Sequence, residues 1–303
     1  MTLRSTPIAV SALVAIALAV PAVAFEDLRA PGAKLEKLAG DFSFTEGPTA
    51  DAAGNVFFTD QPNDRILKWS ADGKLSTFLQ PAGRSNGMYF DRDGKLIACA
   101  DEKNELWSIA KDGKVTVIWK EYEGKKLNGP NDVWVHPSGS LYFTDPFYKR
   151  PWWSHDAPPQ DGQHVYRLSA DRKTVARVTS DLEQPNGITG TPDGKTLYVS
   201  DIKAGKTYAY DIRPDGSLAG KRLHCAMGSD GMTLDEEGHL YLTGKGGVHV
   251  FDKAGKEVQV LEVPEDWTAN VSFGGADHRT LFITASKGLY AVRLRVKGAN
   301  AAK

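Results

Sequence analysis

Short runs of apolar and β-branched residues, each opened by a glycine turn, recur along this chain. Four of them are Asn55-Val56-Phe57-Phe58-Thr59-Asp60, Ser140-Leu141-Tyr142-Phe143-Thr144-Asp145, Thr196-Leu197-Tyr198-Val199-Ser200-Asp201 and His239-Leu240-Tyr241-Leu242-Thr243. Such runs, bounded by Gly, Asp and Asn, read as strands entered from tight hairpins. The turns also define a register. Eight residues before Gly54 stands Glu46, and the same offset from Gly94, Gly139, Gly194 and Gly238 gives Asn86, Asn131, Asn186 and Asp230. His278 replaces the glycine in the last repeat, and the same step back reaches Asn270. The intervals between these six positions are 40, 45, 55, 44 and 40 residues. A period of about 40–45 residues with four strands per unit is that of a propeller blade. The pattern therefore predicts an all-β, six-bladed β-propeller with four-stranded blades.

In that frame each of the six polar residues starts the innermost strand of its blade, so the six converge on one mouth of the central channel. The last repeat supplies only three strands, Asn270–Phe273, Thr280–Thr284 and Gly288–Val296. Lys34–Ala39 is expected to complete that blade, joining the chain ends and removing an open sheet edge. The 55-residue interval marks an insertion at 146–164 in the third blade, carrying Phe147-Tyr148-Lys149-Arg150-Pro151-Trp152-Trp153-Ser154-His155-Asp156 and Pro158-Pro159. It reads either as packed decoration or as a lid over the mouth.

Composition adds limits. Residues 1–24 read as a signal peptide: Arg4, a small apolar stretch, then Ala22-Val23-Ala24 as the cleavage pattern. That leaves one domain, 25–303, expected to be periplasmic or secreted, without stable membrane insertion after cleavage and monomeric. The net charge is −1 and no Lys/Arg-rich run occurs, which disfavours nucleic acid as a partner. The two cysteines, Cys99 and Cys225, fall in non-adjacent blades and are expected to be buried free thiols.

The six mouth residues offer carboxylate and amide oxygens only. This hard-donor set suits one divalent cation, Ca²⁺ foremost, with Mg²⁺, Mn²⁺ or Zn²⁺ as alternatives. Glu46 and Asp230 supply the charge, and Asn131 and Asn186 supply neutral oxygens. Asn86-Gly87, Asn186-Gly187 and Asp230-Gly231 are also common turn dipeptides, but turn chemistry does not account for their shared register. A cation there would polarise a carbonyl, with Asp230 acting as general base or nucleophile. Asn86, Asn128, Trp152, His155 and Asn270 are candidate substrate contacts. Gly83-Arg84-Ser85-Asn86-Gly87 matches the G-x-S-x-G string, but a strand follows where a nucleophile elbow needs a helix, so Ser85 is read as incidental.

Phe44-Thr45-Glu46-Gly47-Pro48, Asn128-Gly129-Pro130-Asn131-Asp132, Gln184-Pro185-Asn186-Gly187, Ser229-Asp230-Gly231-Met232 and Asn270-Val271-Ser272-Phe273-Gly274-Gly275 resemble the gluconolactonase/regucalcin (senescence marker protein) family over roughly residues 34–295. The resemblance implies a six-bladed propeller with one central divalent cation and lactone-hydrolysing activity. It places the metal-binding glutamate on Glu46, two metal-site asparagines on Asn131 and Asn186, and the catalytic aspartate on Asp230. Where regucalcin-like members carry a substrate-binding arginine, this chain has Gly129. The resulting expectation is an exported hydrolase opening a sugar lactone such as glucono-1,5-lactone. The alternatives are a promiscuous esterase or phosphotriesterase on the same site, and a non-catalytic ligand-binding propeller with structural calcium.

Overall fold

In the computed structural model, which describes residues 1–2 and 25–299, six antiparallel four-stranded sheets are arranged as the blades of a propeller. The signal-peptide assignment falls almost wholly on residues outside that range. The innermost strands are Thr45–Ala50, Ser85–Phe90, Val133–Val135, Pro185–Gly190, Met232–Leu234 and Thr268–Gly274, in blades 1 to 6. Glu36–Ala39 pairs with Gly288–Arg293 and completes blade 6, with Lys37 opposite Tyr290. The predicted closure is present, two residues shorter than the sequence pattern suggested.

The apolar runs are continuous because both faces of each blade are buried. Period-two alternation then sends successive side chains to different neighbours. In Val56–Asp60 of blade 1, Val56 and Phe58 pack with Phe282 and Leu289 of blade 6. Phe57, between them, packs with Met88 and Leu96 of blade 2. The same division recurs around the ring: Leu141 and Phe143 of blade 3 join Ile97 and Cys99 of blade 2, while Tyr142 joins Leu197 and Val199 of blade 4. The core is thus six wedges between blades, and the channel they surround is lined by both apolar residues such as Met88, Ile188 and Met232 and polar ones such as Asp132 and Asn270. Cys99 and Cys225 are buried and free, in blades 2 and 4.

A buried aspartate fixes the loop that delivers several of the mouth residues. Asp60 ends the second strand of blade 1, and its Oδ1 accepts the N–H groups of Ser43 and Phe44, just ahead of Glu46. Asp145 does the same for Asn128 and Gly129 ahead of Asn131, and Asp201 for Glu183 and Gln184 ahead of Asn186. A carboxylate that accepts two backbone N–H groups satisfies donors that no ladder reaches. The equivalent residue of blade 2, Asp101, has other partners: the Gln61 amide at 3.1 Å and the Arg150 guanidinium at 2.8 Å.

Candidate active site at the channel mouth

The six register positions meet where the sequence placed them, at the start of the innermost strands. Glu46, Asn86, Asn131, Asn186 and Asn270 are buried, and Asp230 keeps partial access to solvent. The glycines that follow them serve close approach between neighbouring strands. A Cβ on Gly47, whose φ is +46°, would lie 2.1 Å from the Asn86 carbonyl oxygen; one on Gly231 would lie 2.1 Å from Cγ of Asn270. Glycine lets the six strands converge this tightly, which is why the Asx-Gly pairs occur inside strands as well as in turns.

Asp230 is held on both oxygens. Asn186 Nδ2 donates to Oδ1 at 2.8 Å, and the indole Nε1 of Trp267 donates to Oδ2 at 2.7 Å. Asn186 Nδ2 also donates to the Tyr148 hydroxyl at 2.8 Å. That amide orientation leaves Asn186 Oδ1 buried without a hydrogen-bond partner. Glu46 accepts the Gly47 N–H at 3.0 Å, and Asn270 Oδ1 accepts the Val271 N–H at 2.8 Å.

Burial in this crowded, acidic setting disfavours ionisation. Desolvation first, and then the charge of Asp230, push the Glu46 carboxyl well above the usual range. Burial raises Asp230 to about 6 against the hydrogen bonds from Trp267 and Asn186, and raises Asp132 to about 7. Arg150 draws Asp230 the other way, but its guanidinium is already paired with Asp101. Two carboxylates that repel each other beside a buried carbonyl oxygen lacking any donor form a setting that a bound cation would relieve. Among the described residues no three His, Cys, Asp or Glu side chains form a metal-sized group. The ring mixes two carboxylates with amides instead, and this oxygen-only donor set with an orphaned acceptor fits a hard divalent ion.

The insertion lies against the mouth. Arg150 reaches Asp101, Trp153 Nε1 donates to the Asp101 carbonyl at 3.0 Å, and the Trp152 ring is flanked by Arg84 and Arg150 at 4.6 and 5.7 Å. Trp153 also fills the space beside Gly129, where a Cβ would come within 2.7 Å of its ring. His155 stacks on Trp153 at 4.9 Å and touches Phe147, so its contacts are within the insertion. Asn128 is wholly engaged by the fold: Nδ2 donates to the Asp145 and Gly162 carbonyls, and Oδ1 accepts the Gln160 N–H. It holds the loop in place and has no amide group left for a substrate. Ser85 Oγ donates to the Ala82 carbonyl at 2.6 Å from a buried strand position, as an incidental serine would. Asp132, Tyr148, Arg150 and Trp267 belong to the site but were missed. Asp132 was legible as the neighbour of Asn131, whereas Trp267 lies in an irregular segment with no register to place it.

Residues 44–287 match the family described as SMP-30/Gluconolactonase/LRE-like region. The chain belongs to that family. Among its relatives, the gluconolactonase of Zymomonas mobilis is 31% identical over 297 residues, covering 87% of this chain and 82% of that one. The solved structure of a Xanthomonas campestris gluconolactonase is 29% identical, with a TM-score of 0.83 over 88% of this chain and 91% of the other. The calcium-binding protein regucalcin of Agrobacterium tumefaciens, at 22% identity and a TM-score of 0.71 over 86% and 93%, shares the fold. This family member is a lactonase-type enzyme with a propeller scaffold.

Proposed function

We propose that the protein opens a sugar lactone such as glucono-1,5-lactone, using a divalent cation at the channel mouth, Ca²⁺ foremost. The observation that carries this reading is the pairing of Glu46 and Asp230 beside the unpartnered Oδ1 of Asn186. Glu46, Asn131, Asn186 and Asp230 would hold the ion. When bound, it supplies Lewis-acid polarisation of the lactone carbonyl and a counter-charge for the developing oxyanion.

The chain's own residues account for the proton. Asp230, the one ring residue open to the mouth, accepts a proton from a water as that water forms its bond to the carbonyl carbon. Collapse of the tetrahedral adduct breaks the ring C–O bond, and the same proton, returned from Asp230, neutralises the departing alkoxide to leave the hydroxy acid. Asn186 Nδ2 and Trp267 Nε1 fix both carboxylate oxygens through this exchange. Direct attack by the carboxylate is the alternative role of Asp230. A single turnover in ¹⁸O-water bears on this: label in Asp230 shows direct attack, with water then opening the mixed anhydride at the Asp230 carboxyl carbon.

Export to the periplasm belongs to the same proposal, resting on residues 1–24. A panel of aldonolactones, aryl esters and phosphotriesters, assayed with metal-loaded protein and with Asp230→Asn, tests the activity. Hydrolysis is expected to be fastest on the sugar lactones and to drop at least about a thousandfold in the variant, the scale of losing a central catalytic group. Folded, metal-loaded protein inert across the whole panel would sink the proposal.

A further inference from the structure

Trp267 stands out among the large apolar side chains because it is 38% exposed and yet held at three points. Its backbone N–H donates to Ser286 Oγ at 3.3 Å, and Ser286 Oγ donates to its carbonyl at 3.2 Å. Its indole Nε1 donates to Asp230 Oδ2 at 2.7 Å. Ser286 is tied in turn to the strand that carries Glu46, since the Thr45 N–H donates to the Ser286 carbonyl at 2.9 Å. An indole in a purely structural role would turn its ring into one of the wedges between blades. This one spends its polar edge on the reactive carboxylate and leaves apolar ring surface to water.

At the other end of the same chain of hydrogen bonds lies Tyr148, whose hydroxyl accepts from Asn186. The order Tyr148, Asn186, Asp230, Trp267 therefore runs across the mouth and ends in an aromatic ring on each side. Tyr148 is half-buried, whereas Trp267 is exposed. Rigid aromatic surface beside a few placed polar groups is how small-molecule sites fix orientation, and a ring already immobilised costs little further entropy when a ligand stacks on it.

We propose that Trp267 has two parts in the reaction: its N–H positions Asp230, and its exposed ring is the platform on which the apolar C–H face of a cyclic polyhydroxylated lactone rests. The proposal builds on the lactonase reading of this site and adds to it the ligand class, a saturated sugar ring presenting one apolar face. Toward Asp230 the indole is a positioning residue; toward the substrate it is a contact residue. The two parts separate by substitution, because phenylalanine retains a flat ring and lacks the N–H, while alanine removes both.

The test uses metal-saturated wild type, Trp267→Phe and Trp267→Ala, with glucono-1,5-lactone kinetics, inhibition by D-glucono-1,5-lactam, whose ring stays closed because its amide resists hydrolysis, and tryptophan emission on titration with that lactam. For Trp267→Phe, kcat is expected to fall about tenfold with KM within about twofold, the pattern of an interaction made mainly in the transition state. For Trp267→Ala, kcat falls at least as far, and KM and the lactam inhibition constant both rise about tenfold, the scale of one lost stacking contact in a small site. Wild-type emission should change with the lactam, and that change should be absent in Trp267→Phe. Variants that lose only thermal stability or metal content, with unchanged kcat and KM at saturating metal, overturn the proposal, as does unaltered lactam affinity in Trp267→Ala. If the wild type hydrolyses no lactone, the functional reading fails by that result alone. The emission titration with the lactam then decides separately whether Trp267 is a sugar platform, a silent titration overturning it.

Discussion

Glu46 and Asp230 are destabilised as anions by burial and by each other, and this makes metal binding a competition with protons. The folded, metal-free Asp230 carboxyl lies at about 6, above its ordinary value of 3.8, and Glu46 is raised too. Protons therefore occupy Asp230 below about pH 6, and Glu46 holds its proton well above the usual carboxylate range, while a cation requires both groups ionised. Metal affinity is predicted to fall about tenfold per pH unit for each proton displaced once pH drops below 6. Isothermal titration of Ca²⁺ in buffers of different ionisation enthalpy measures the protons released; a pH-independent affinity would count against a site built on these two carboxylates. The ring was readable at this scale because a fixed offset from a glycine turn is a sequence property. Tyr148 and Trp267 sit in irregular segments, where no period indicates which side chain faces the mouth. Asn128 misled for a related reason: it neighbours the ring in sequence, but its amide is consumed by Asp145, Gly162 and Gln160.

The insertion in blade 3 is the element that differs most from a plain repeat, and it is anchored. Asp101, freed from the loop-pinning duty that Asp60, Asp145 and Asp201 perform, instead takes Arg150, with Trp152 between Arg84 and Arg150 above it. The segment lies at the mouth, where packed decoration and a lid would both sit. Arg150→Ala would leave the nearly buried Asp101 carboxyl with Gln61 alone. A loss of about 3 kcal/mol of stability is expected from stranding a buried acid. Because Tyr148 rides on the same segment and holds Asn186, KM should rise while the bound metal stays near one per chain. Denaturant melts and metal analysis of the variant check both parts; wild-type KM would mean the segment only decorates the rim. The sequence could expose this insertion by its length, since 55 residues break the period. Its partner could not be foreseen, because Asp101 is chemically identical to the aspartates that pin loops.

Across the whole molecule, the ring of blades is closed by a single four-residue strand, Glu36–Ala39, paired with Gly288–Arg293. Deleting residues 25–42 would open that edge and also remove Phe42, which packs on Phe58 at 5.4 Å. The truncated chain is predicted to be insoluble or aggregated when expressed; normal yield and melting would refute closure as a requirement for folding. The proposed cation would add stability at the channel mouth, because its four ligands come from four blades. Metal-free protein carries the cost of ionising raised carboxylates. The stability due to those groups is present below their ordinary range and is lost as pH rises through about 6. Metal at about a hundred times its dissociation constant adds about 2.7 kcal/mol, or roughly 5–10 °C in Tm, and the increment should be larger at pH 8 than at pH 5. The six-fold plan was legible because every blade repeats the same buried second strand and the same turn. Blade geometry then fixes where the innermost strands begin, and the ring follows from it.

The most direct test of the central claim is the rate of glucono-1,5-lactone hydrolysis by protein stripped with EDTA and then reloaded with Ca²⁺, Mg²⁺, Mn²⁺ or Zn²⁺. Bound metal is counted in the same samples and in Asp230→Asn. Turnover that vanishes with the metal, returns at one ion per chain with Ca²⁺ the most effective, and stays absent in the variant is the predicted result. Full activity in metal-free protein, or activity restored equally in Asp230→Asn, would contradict the account of the channel mouth as a metal-assisted lactonase site.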